Sequence, residues 1–413
     1  MKFVLVAIGS GGDVYPFLGL ALALRARARG HQVAMIANGH FRPAIEHHGI
    51  PFEEYGSDEQ YRLALRNPDL WHPLKGFKTV MGFNDHQREL MATIRKLAGG
   101  DGVVIAHTLA FAARILHEDG ELRSISICLQ PAVLRSVYDG PVMGGNHGIT
   151  KLPRWMQQSF WWGVDQFLVD PVVQRMVEPI RSDLHLPPQH RYFAHWLHSP
   201  LLTLGLFPDW FAPVQPDWPA SVHLTSFPLS DTVSDQGVPD QLQHLLQTQR
   251  PVVFTPGTGN LHAAAFFAAG IEACRALNLP AIILTPHREQ LPPALPPTVH
   301  NFPFAPLSQI LPRCAALIHH GGIGTTAAAL AGGIPQIIMP LSHDQPDNAA
   351  RIVRNGWGAR LWPRQFTARH LTPLLRDALA NQEMAHRCRA AAARLAQTNG
   401  LNTACELIES ALR

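Results

Sequence analysis

Short apolar runs alternate with longer amphipathic stretches at the start of the chain. Residues 2–8 (KFVLVAI) are apolar up to the glycine-rich GSGGD, and PFLGLALALRARARG then shows apolar positions at helical spacing as far as Gly30. Arginines in a last turn followed by glycine end a helix, and HQVAMIA returns to a strand pattern. The order strand, loop, helix, strand predicts a parallel sheet covered by helices. GVVIAH, FAARILHEDG and LRSISICLQ continue this order.

The pattern changes over residues 140–200. RWMQQSFWWGVDQFLVDPVVQRMVEPI has helical spacing and is rich in aromatic residues. Prolines then crowd residues 208–240, which end in the polar SDTVSDQGVPD. A proline-rich stretch followed by polar residues is typical of a domain boundary.

A second alternation of strands and helices follows the prolines. PVVFTPG, PAIILT, CAALIHH and PQIIMPL have strand patterns, and helical stretches separate them. Two doubly wound domains that face each other would hold a ligand in the cleft between them, at the carboxyl ends of their strands. We therefore predict an α/β fold of two facing Rossmann-like domains, with an N-terminal domain over 1–215, a linker over 216–240, a C-terminal domain over 241–395, and a helix over 396–413 that packs back on the N-terminal domain.

Composition narrows the class of protein. The 413 residues exceed what one hydrophobic core usually serves. The net charge of +3 and the lack of a long charge run give no reason to expect a nucleic-acid partner. The five cysteines are far apart and odd in number, which favours the cytoplasm over a disulfide framework. No apolar run is long enough to span a bilayer, and GSGGD interrupts the first run, which favours a buried strand over a signal peptide.

The first glycine-rich turn, IGSGGDVYP, follows the first predicted strand. Its spacing is not that of the dinucleotide fingerprint, because Val14 stands where the third glycine would be. The glycines still allow the backbone to approach a ligand closely. Asp13 has two interpretations here: it caps the following helix, or it is a general base that accepts a proton from an attacking hydroxyl.

A second glycine-rich turn, LIHHGGIGTT, also lies between a strand and a helix. Free N–H groups at a helix start form an anion site. His320 could donate to a phosphate oxygen, or it could be a strand-end histidine bonded to the backbone. Neighbouring residues of a strand point to opposite faces, so we expect His319 to point away from any ligand of His320.

The segment PLSHDQPDNAARI places Asp344 and Gln345 just before another helix. An adjacent carboxylate and amide suit the hydroxyl groups of a sugar, because one accepts hydrogen bonds and the other both donates and accepts them. Capping by Asp344 is the alternative interpretation. No pair of aspartates in the pattern D-x-D occurs, so a metal held by such a pair is not expected.

Aromatic residues and a further turn complete the candidate positions. Phe304 could stack on a base, although core packing is its alternative. Thr258, in the turn PGTGN, could meet a phosphate. Trp155, Trp161 and Trp162 fit core packing, and near a cleft they could line an apolar acceptor site.

These segments, in this order, resemble the family 1 nucleotide-sugar glycosyltransferases, which have two facing Rossmann-like domains of the GT-B type. The resemblance covers nearly the whole chain, and its most specific part runs from Phe304 to Gln345. The family pattern there is aromatic-Ala-Pro, His-x-Gly-x-x-[Ser/Thr], Gly-x-Pro and Asp-Gln, which this chain matches with FAP, HGGIGT, GIP and DQ.

The resemblance implies an acceptor-binding N-terminal domain and a nucleotide-sugar-binding C-terminal domain, with Asp13 as the catalytic base. The donor is a co-substrate, and neither a cofactor nor a metal is expected. The implied donor-binding residues are Gly12, Gly257, Thr258, Phe304, Ala305, His320, Gly322, Gly324, Thr325, Asp344 and Gln345. Many members have tryptophan in place of Phe304, glutamine in place of Leu307 and a histidine base in place of Asp13.

A more specific resemblance is to the rhamnosyltransferases of rhamnolipid synthesis, through AIGSGGDVYPF, WLHSPLLTLGLFPDWFAP and HDQPDNAARIVRNG. It implies inverting transfer of rhamnose or glucose, from dTDP-rhamnose or a UDP-sugar, to a hydroxyl of a small apolar acceptor. A hydroxyalkanoyl lipid, a flavonoid, a sterol and a polyketide are all candidate acceptors. We expect a cytoplasmic enzyme with peripheral contact at the inner face of the membrane.

Two other functions remain open from the sequence. A sugar-nucleotide epimerase on a similar fold would need no acceptor and would release no nucleotide. A nucleotide-sugar-binding or lipid-binding protein would show no turnover at all.

Overall fold

The computed structural model describes residues 1–72, 75–143, 148–229, 237–257 and 259–413. The chain forms two compact units, which are described separately. The N-terminal unit comprises Met1–Pro228 together with Asn399–Arg413, and the C-terminal unit comprises Leu229–Thr398.

The N-terminal unit is built on a parallel sheet of seven strands. In chain order the strands are β1 Lys2–Val6, β2 Gln32–Ala37, β3 Phe52–Glu54, β4 Val103–His107, β5 Arg123–Cys128, β6 Thr203–Gly205 and β7 Val222–Leu224. Their order across the sheet is β3-β2-β1-β4-β5-β6-β7. The central β1 pairs with β2 on one side, where Phe3 is opposite Val33, and with β4 on the other, where Phe3 is opposite Val103.

Helices cover this sheet as the alternating pattern predicts. They are α1 Gly11–Arg25, α2 Arg42–His47, α3 Asp58–Arg66, α4 Gly76–Gly82, α5 Gln87–Ala98, α6 Phe111–Glu118, α7 Arg154–Val164 and α8 Asp170–Asp183. A π-helical turn, Asp165–Val169, joins α7 to α8. The apolar residues of β1 and β4 are almost fully buried, since strands of a parallel sheet with covered faces lie entirely in the core.

The C-terminal unit repeats the plan with six parallel strands. The strands are β8 Val252–Thr255, β9 Ala281–Leu284, β10 Val299–Phe302, β11 Ala316–His319, β12 Gln336–Ile338 and β13 Gly358–Arg360, in the order β10-β9-β8-β11-β12-β13. Its helices are α9 Asp240–Thr248, α10 Ala264–Ala276, α11 Leu307–Ile310, α12 Ile323–Ala331, α13 Gln345–Arg354, α14 Ala368–Ala380 and α15 Gln382–Ala396. The predicted pair of Rossmann-like domains is confirmed.

The last helix, α16 Gly400–Ala411, lies on the N-terminal unit against α1. Its Glu409 carboxylate accepts hydrogen bonds from the Arg27 guanidinium at 3.2 and 3.0 Å and lies 2.9 Å from His31 Nε2. These contacts lower the pKa of Glu409 to about 2, and the hydrogen bonds from Arg27 are the largest cause. At the other end of the helix, Gly400 lies against the Ser226 carbonyl so closely that a Cβ would be 2.5 Å from its oxygen.

None of the helices that the structure describes is long and apolar enough to cross a membrane.

Candidate active site

Each sheet has a point at which the strand order reverses. In the N-terminal unit this point lies between β1 and β4, and in the C-terminal unit between β8 and β11. Loops at the carboxyl ends of such strand pairs bind ligands in open α/β sheets. Asp13 follows β1 and His107 ends β4, whereas Gly257 follows β8 and His320 follows β11. In each unit the candidate residues therefore lie at the point where the strand order reverses.

Asp13 lies in the first turn of α1 and is about a quarter exposed (26%). Its Oδ2 accepts a hydrogen bond from the Ser10 backbone N–H at 2.7 Å and another from the Ser10 hydroxyl at 3.1 Å. The capping interpretation is thus confirmed for Oδ2. The other oxygen, Oδ1, lies 3.7 Å from His107 Nε2. Ser10 does not engage this second oxygen, and the base interpretation remains a prediction.

Two glycines shape the turn before Asp13. A Cβ on Gly9 would lie 2.2 Å from Asp13 Oδ2, so a side chain at position 9 would prevent the carboxylate from folding back onto Ser10. Gly12, a predicted donor-binding residue, is exposed in the first turn of α1. Its backbone is open to a ligand in this loop.

Sequence reasoning missed His107. Its ring is buried beside Phe17, with ring centroids 6.2 Å apart. The sequence does show a histidine at the end of a predicted strand. Only the strand order, however, places that strand next to β1 and the histidine next to Asp13.

His320 lies between two glycines. A Cβ on Gly257 would be 2.5 Å from its Cε1, and a Cβ on Gly322 would be 2.6 Å from its Nε2. Burial lowers the pKa of His320 to about 4, so the ring is neutral near pH 7 and can donate one hydrogen bond. Its Nδ1 is buried and has no hydrogen-bond partner among the described residues. The Nε2 edge of the ring lies beside the start of α12.

His319, rather than His320, is the strand-end histidine that bonds to the backbone. It is fully buried, its Nδ1 accepts a hydrogen bond from the Gly321 N–H at 3.1 Å, and its Nε2 lies 2.9 Å from Gln336 Oε1. The expectation that His319 points away from a ligand of His320 is confirmed.

The start of α12 is open. Gly322 is the N-cap residue, Gly324 is exposed, and Thr325 is half-buried. A Cβ on Gly324 would meet no atom within 4 Å among the described residues outside its own helix backbone. The first N–H groups of a helix have no partner within the helix and carry its positive partial charge. An anion can therefore approach these groups closely.

Asp344 and Gln345 differ in their surroundings. Asp344 is half-buried, and its Oδ2 accepts a hydrogen bond from Asn348 Nδ2 at 2.7 Å. The same Asn348 amide group donates to the Gly321 carbonyl at 2.9 Å, so it connects the α13 loop to the His320 loop. Gln345 is almost fully buried, and its Oε1 accepts from the backbone N–H of Leu341 at 2.8 Å. The side-chain Oε1 of Gln345 is therefore used within its own loop. The predicted contact with sugar hydroxyls is limited to the rest of this side chain.

Phe304 and Ala305 follow β10. The Phe304 ring is 42% exposed, so its core-packing alternative is wrong, and the ring is accessible to a flat ligand. The Ala305 side chain belongs to the apolar core with Ile310 and Leu311, so only its backbone can meet a donor. Thr258 lies outside the described residues.

The three candidate tryptophans separate into two groups. Trp161 is buried, with the Arg135 guanidinium 4.9 Å from its ring centroid, which favours packing, and its suggested acceptor contact remains a prediction. Trp155 and Trp162 are 67% and 52% exposed, so core packing is wrong for these two.

No group of three or more His, Cys, Asp or Glu side chains that could hold a metal ion occurs in the part of the chain that the structure describes.

Two protein-family models match the chain. Residues 3–138 match the glycosyltransferase family 28 N-terminal domain, and residues 277–408 match the C-terminal domain of the erythromycin biosynthesis protein CIII-like family. The first match contains Asp13 and His107. The second contains Phe304, His320 and the start of α12.

Relatives that match along nearly the whole of this chain agree with the two domain matches. The chain is 28% identical to the O-mycaminosyltylonolide 6-deoxyallosyltransferase of Streptomyces fradiae, over 99% of this chain and 97% of that protein. It is 23% identical to the sterol 3-beta-glucosyltransferase of Pichia angusta, over 98% of this chain but 33% of that longer protein. The spinosyn rhamnosyltransferase SpnG, solved in complex with thymidine diphosphate, has the same fold, with a TM-score of 0.69 at 16% identity over 99% of this chain and 100% of that one.

The two domain matches, the relatives and the shared fold lead to one assignment. The chain belongs to the nucleotide-sugar-dependent glycosyltransferases that combine a family 28 N-terminal domain with an EryCIII-like C-terminal domain.

Proposed function

We propose that the protein is an inverting glycosyltransferase that moves a hexose, rhamnose or glucose, from a nucleotide diphosphate to a hydroxyl of a small apolar acceptor. The observation that carries this proposal is the open start of α12 with the His320 ring held beside it between Gly257 and Gly322. The names of the relatives support it, since they include a deoxyallosyltransferase, a sterol glucosyltransferase and a rhamnosyltransferase.

In the proposed reaction the acceptor oxygen attacks the anomeric carbon of the sugar, and the bond from that carbon to the diphosphate breaks. Asp13 Oδ1 takes the proton of the attacking hydroxyl, because Oδ2 is engaged by Ser10. The diphosphate leaves with added negative charge. The N–H groups at the start of α12 and the neutral His320 ring stabilise that charge.

The same proposal assigns the rest of the donor. Asp344 binds sugar hydroxyls through its carboxylate. The exposed Phe304 ring stacks on the base. Gly324 and Thr325 hold the phosphates at the helix start.

The test is a screen for nucleotide release. UDP-glucose and dTDP-rhamnose are first compared by thermal shift, because a ligand of the folded state raises the melting temperature. The better donor is then incubated with a hydroxyalkanoate, a flavonoid, a sterol or a polyketide. Release that depends on an acceptor, with an inverted anomeric configuration in the product, supports the proposal. Conversion of the donor without an acceptor would indicate an epimerase, and a thermal shift without any turnover would indicate a binding protein.

We also propose that α7 and the turn after it make peripheral contact with a lipid surface that supplies the apolar acceptor. This α7 face comprises the exposed side chains of Trp155, Trp162, Phe167 and Leu168. Aromatic and apolar side chains beside basic residues are typical of segments that lie in a membrane interface.

The charges near the α7 face favour an anionic surface. Lys151 and Arg154 are exposed beside it, whereas Asp165 and Asp170 are buried. Flotation with vesicles of phosphatidylglycerol should therefore carry the protein, and vesicles of phosphatidylcholine should carry less of it. The double variant Trp155→Ser and Trp162→Ser should stay in the dense fraction, and Leu63→Ser, which changes an exposed apolar residue of α3, should still float. Equal flotation of all three proteins would rule the proposal out.

A further inference from the structure

His107 faces Asp13 from the neighbouring strand. β1 and β4 run parallel and pair from Phe3–Val103 to Val6–Ala106, so the loop after β1 and the end of β4 lie at the same edge of the sheet. His107 Nε2 is 3.7 Å from Asp13 Oδ1, and the His107 side chain is only 5% exposed. The imidazole thus faces the oxygen that Ser10 leaves unoccupied.

The position of the proton on His107 follows from its second nitrogen. Nδ1 accepts a hydrogen bond from the Leu109 backbone N–H at 3.3 Å, so Nδ1 carries no hydrogen. Burial lowers the pKa of His107, although the charge of Asp13 opposes this shift. A neutral imidazole without hydrogen on Nδ1 carries it on Nε2. The hydrogen is therefore on the nitrogen that lies 3.7 Å from Asp13 Oδ1.

Two phenols also lie near Asp13. Tyr61 of α3 interacts with Asp13 and with Tyr15 of α1. Burial raises the pKa of both phenols, so both remain protonated. Neither phenol therefore adds a charge beside the carboxylate near pH 7.

We propose that His107 is a positioning residue that holds the Asp13 carboxylate, through Nε2–H and Oδ1, in the orientation and charge state needed to receive the acceptor proton. This inference rests on the proposed role of Asp13 as base. His107 itself neither gains nor loses a proton in the reaction. The distance of 3.7 Å is longer than a hydrogen bond, and contacts of this kind tighten when the substrates bind.

Three variants separate this role from a structural one. In His107→Gln the amide nitrogen can occupy the position of Nε2. In His107→Asn the amide oxygen can replace Nδ1 as acceptor for Leu109, but the side chain is too short to reach Asp13. His107→Phe fills the volume beside Phe17 and has neither group.

We measure the acceptor kcat/KM against pH at saturating donor, with the donor and acceptor that react fastest in the screen above. Loss of the N–H prevents the hydrogen bond to the carboxylate that forms when the contact tightens on substrate binding, so the acid limb should move to higher pH by about one unit in His107→Asn and His107→Phe. His107→Gln should keep the profile of the unmodified protein. The thermal shift with the donor alone should be the same in all variants, because His107 is not one of the predicted donor-binding residues.

Two kinetic outcomes would overturn the inference: an unchanged acid limb in all three variants, or a normal profile only in His107→Asn, which would assign His107 to the Leu109 loop.

A second measurement needs no turnover. In protein labelled with ¹⁵N-histidine, Asp13→Asn should change the His107 Nε2 resonance, and no change would also overturn the inference. If the unmodified protein shows no acceptor-dependent release of nucleotide, the proposed function fails, while this resonance still decides whether His107 is coupled to Asp13.

Discussion

Gly257 lies directly against the imidazole of His320. A Cβ on Gly257 would be 2.5 Å from Cε1 of the ring and 2.7 Å from Nε2. The two residues come from the ends of β8 and β11, which are neighbours in the sheet. The bare backbone at position 257 therefore determines where the ring can lie.

Replacement of Gly257 by alanine should abolish donor binding. The new methyl group displaces the His320 ring, and the φ of +86° adds backbone strain of about 1–2 kcal/mol. Gly120→Ala is the matched control, because its φ is +79° and its Cβ would meet no atom within 4 Å among the described residues. Both variants should melt at lower temperature than the unmodified protein. Only Gly257→Ala should lose the thermal shift with UDP-glucose or dTDP-rhamnose, and a normal shift in that variant would contradict the role of His320.

Replacement of Gly324 by alanine should separate stability from donor binding. The Cβ enters open space in the first turn of α12, and alanine is favoured over glycine in helices by up to about 1 kcal/mol. The melting temperature should therefore stay the same or rise. The donor should bind more weakly, because the methyl group occupies the space through which a phosphate reaches the helix N–H groups. An unchanged thermal shift with donor would remove Gly324 from the donor site.

The two-unit α/β plan could be predicted because its central strands are continuous apolar runs. VVF in β8 and LIH in β11 are buried on both faces, and such runs stand out in a sequence. The edge strands β3 and β13 have three residues each. Neither FEE in β3 nor GAR in β13 is a continuous apolar run, unlike the region of the equally short β12 in PQIIMPL, so the sequence pattern predicts neither strand.

Side-chain roles could be predicted only where one segment contains the whole arrangement. Asp13 and its capping of Ser10 lie within one turn, and the HGGIGT loop contains both the histidine and the helix start. The contacts of Asp13 with His107 and of Gly257 with His320 join strands that become neighbours only through the sheet order. That order depends on the packing of the whole unit, which no local pattern records.

Asp13→Asn should reduce acceptor-dependent nucleotide release by about 10²–10⁴-fold, the usual contribution of a general base. Asparagine keeps an oxygen that can accept from the Ser10 N–H, so α1 should keep its cap and the donor should bind normally. Asp240→Asn is the control, since Asp240 is an exposed acidic residue in the first turn of α9. The measurement is the rate of nucleotide release beside the thermal shift with donor. Full activity of Asp13→Asn would exclude Asp13 as the base.

Glu409→Gln should loosen α16 from the N-terminal unit. The carboxylate is nearly buried and accepts two hydrogen bonds from Arg27, with His31 2.9 Å away. The neutral amide of glutamine cannot replace this charged acceptor, so the substitution breaks a nearly buried ion pair. We expect a fall of several degrees in the melting temperature at pH 7, whereas Glu383→Gln, which breaks the exposed pair with Arg387, should change it little. Folding lowers the pKa of Glu409 from its ordinary value to about 2. The carboxylate therefore stabilises the fold at every pH above that ordinary pKa, and this stabilisation is lost as the pH falls towards 2. The difference in melting temperature between the unmodified protein and Glu409→Gln should therefore be constant from pH 7 to pH 5 and shrink below pH 4. A difference that did not shrink in acid would show that the carboxylate charge does not hold the helix.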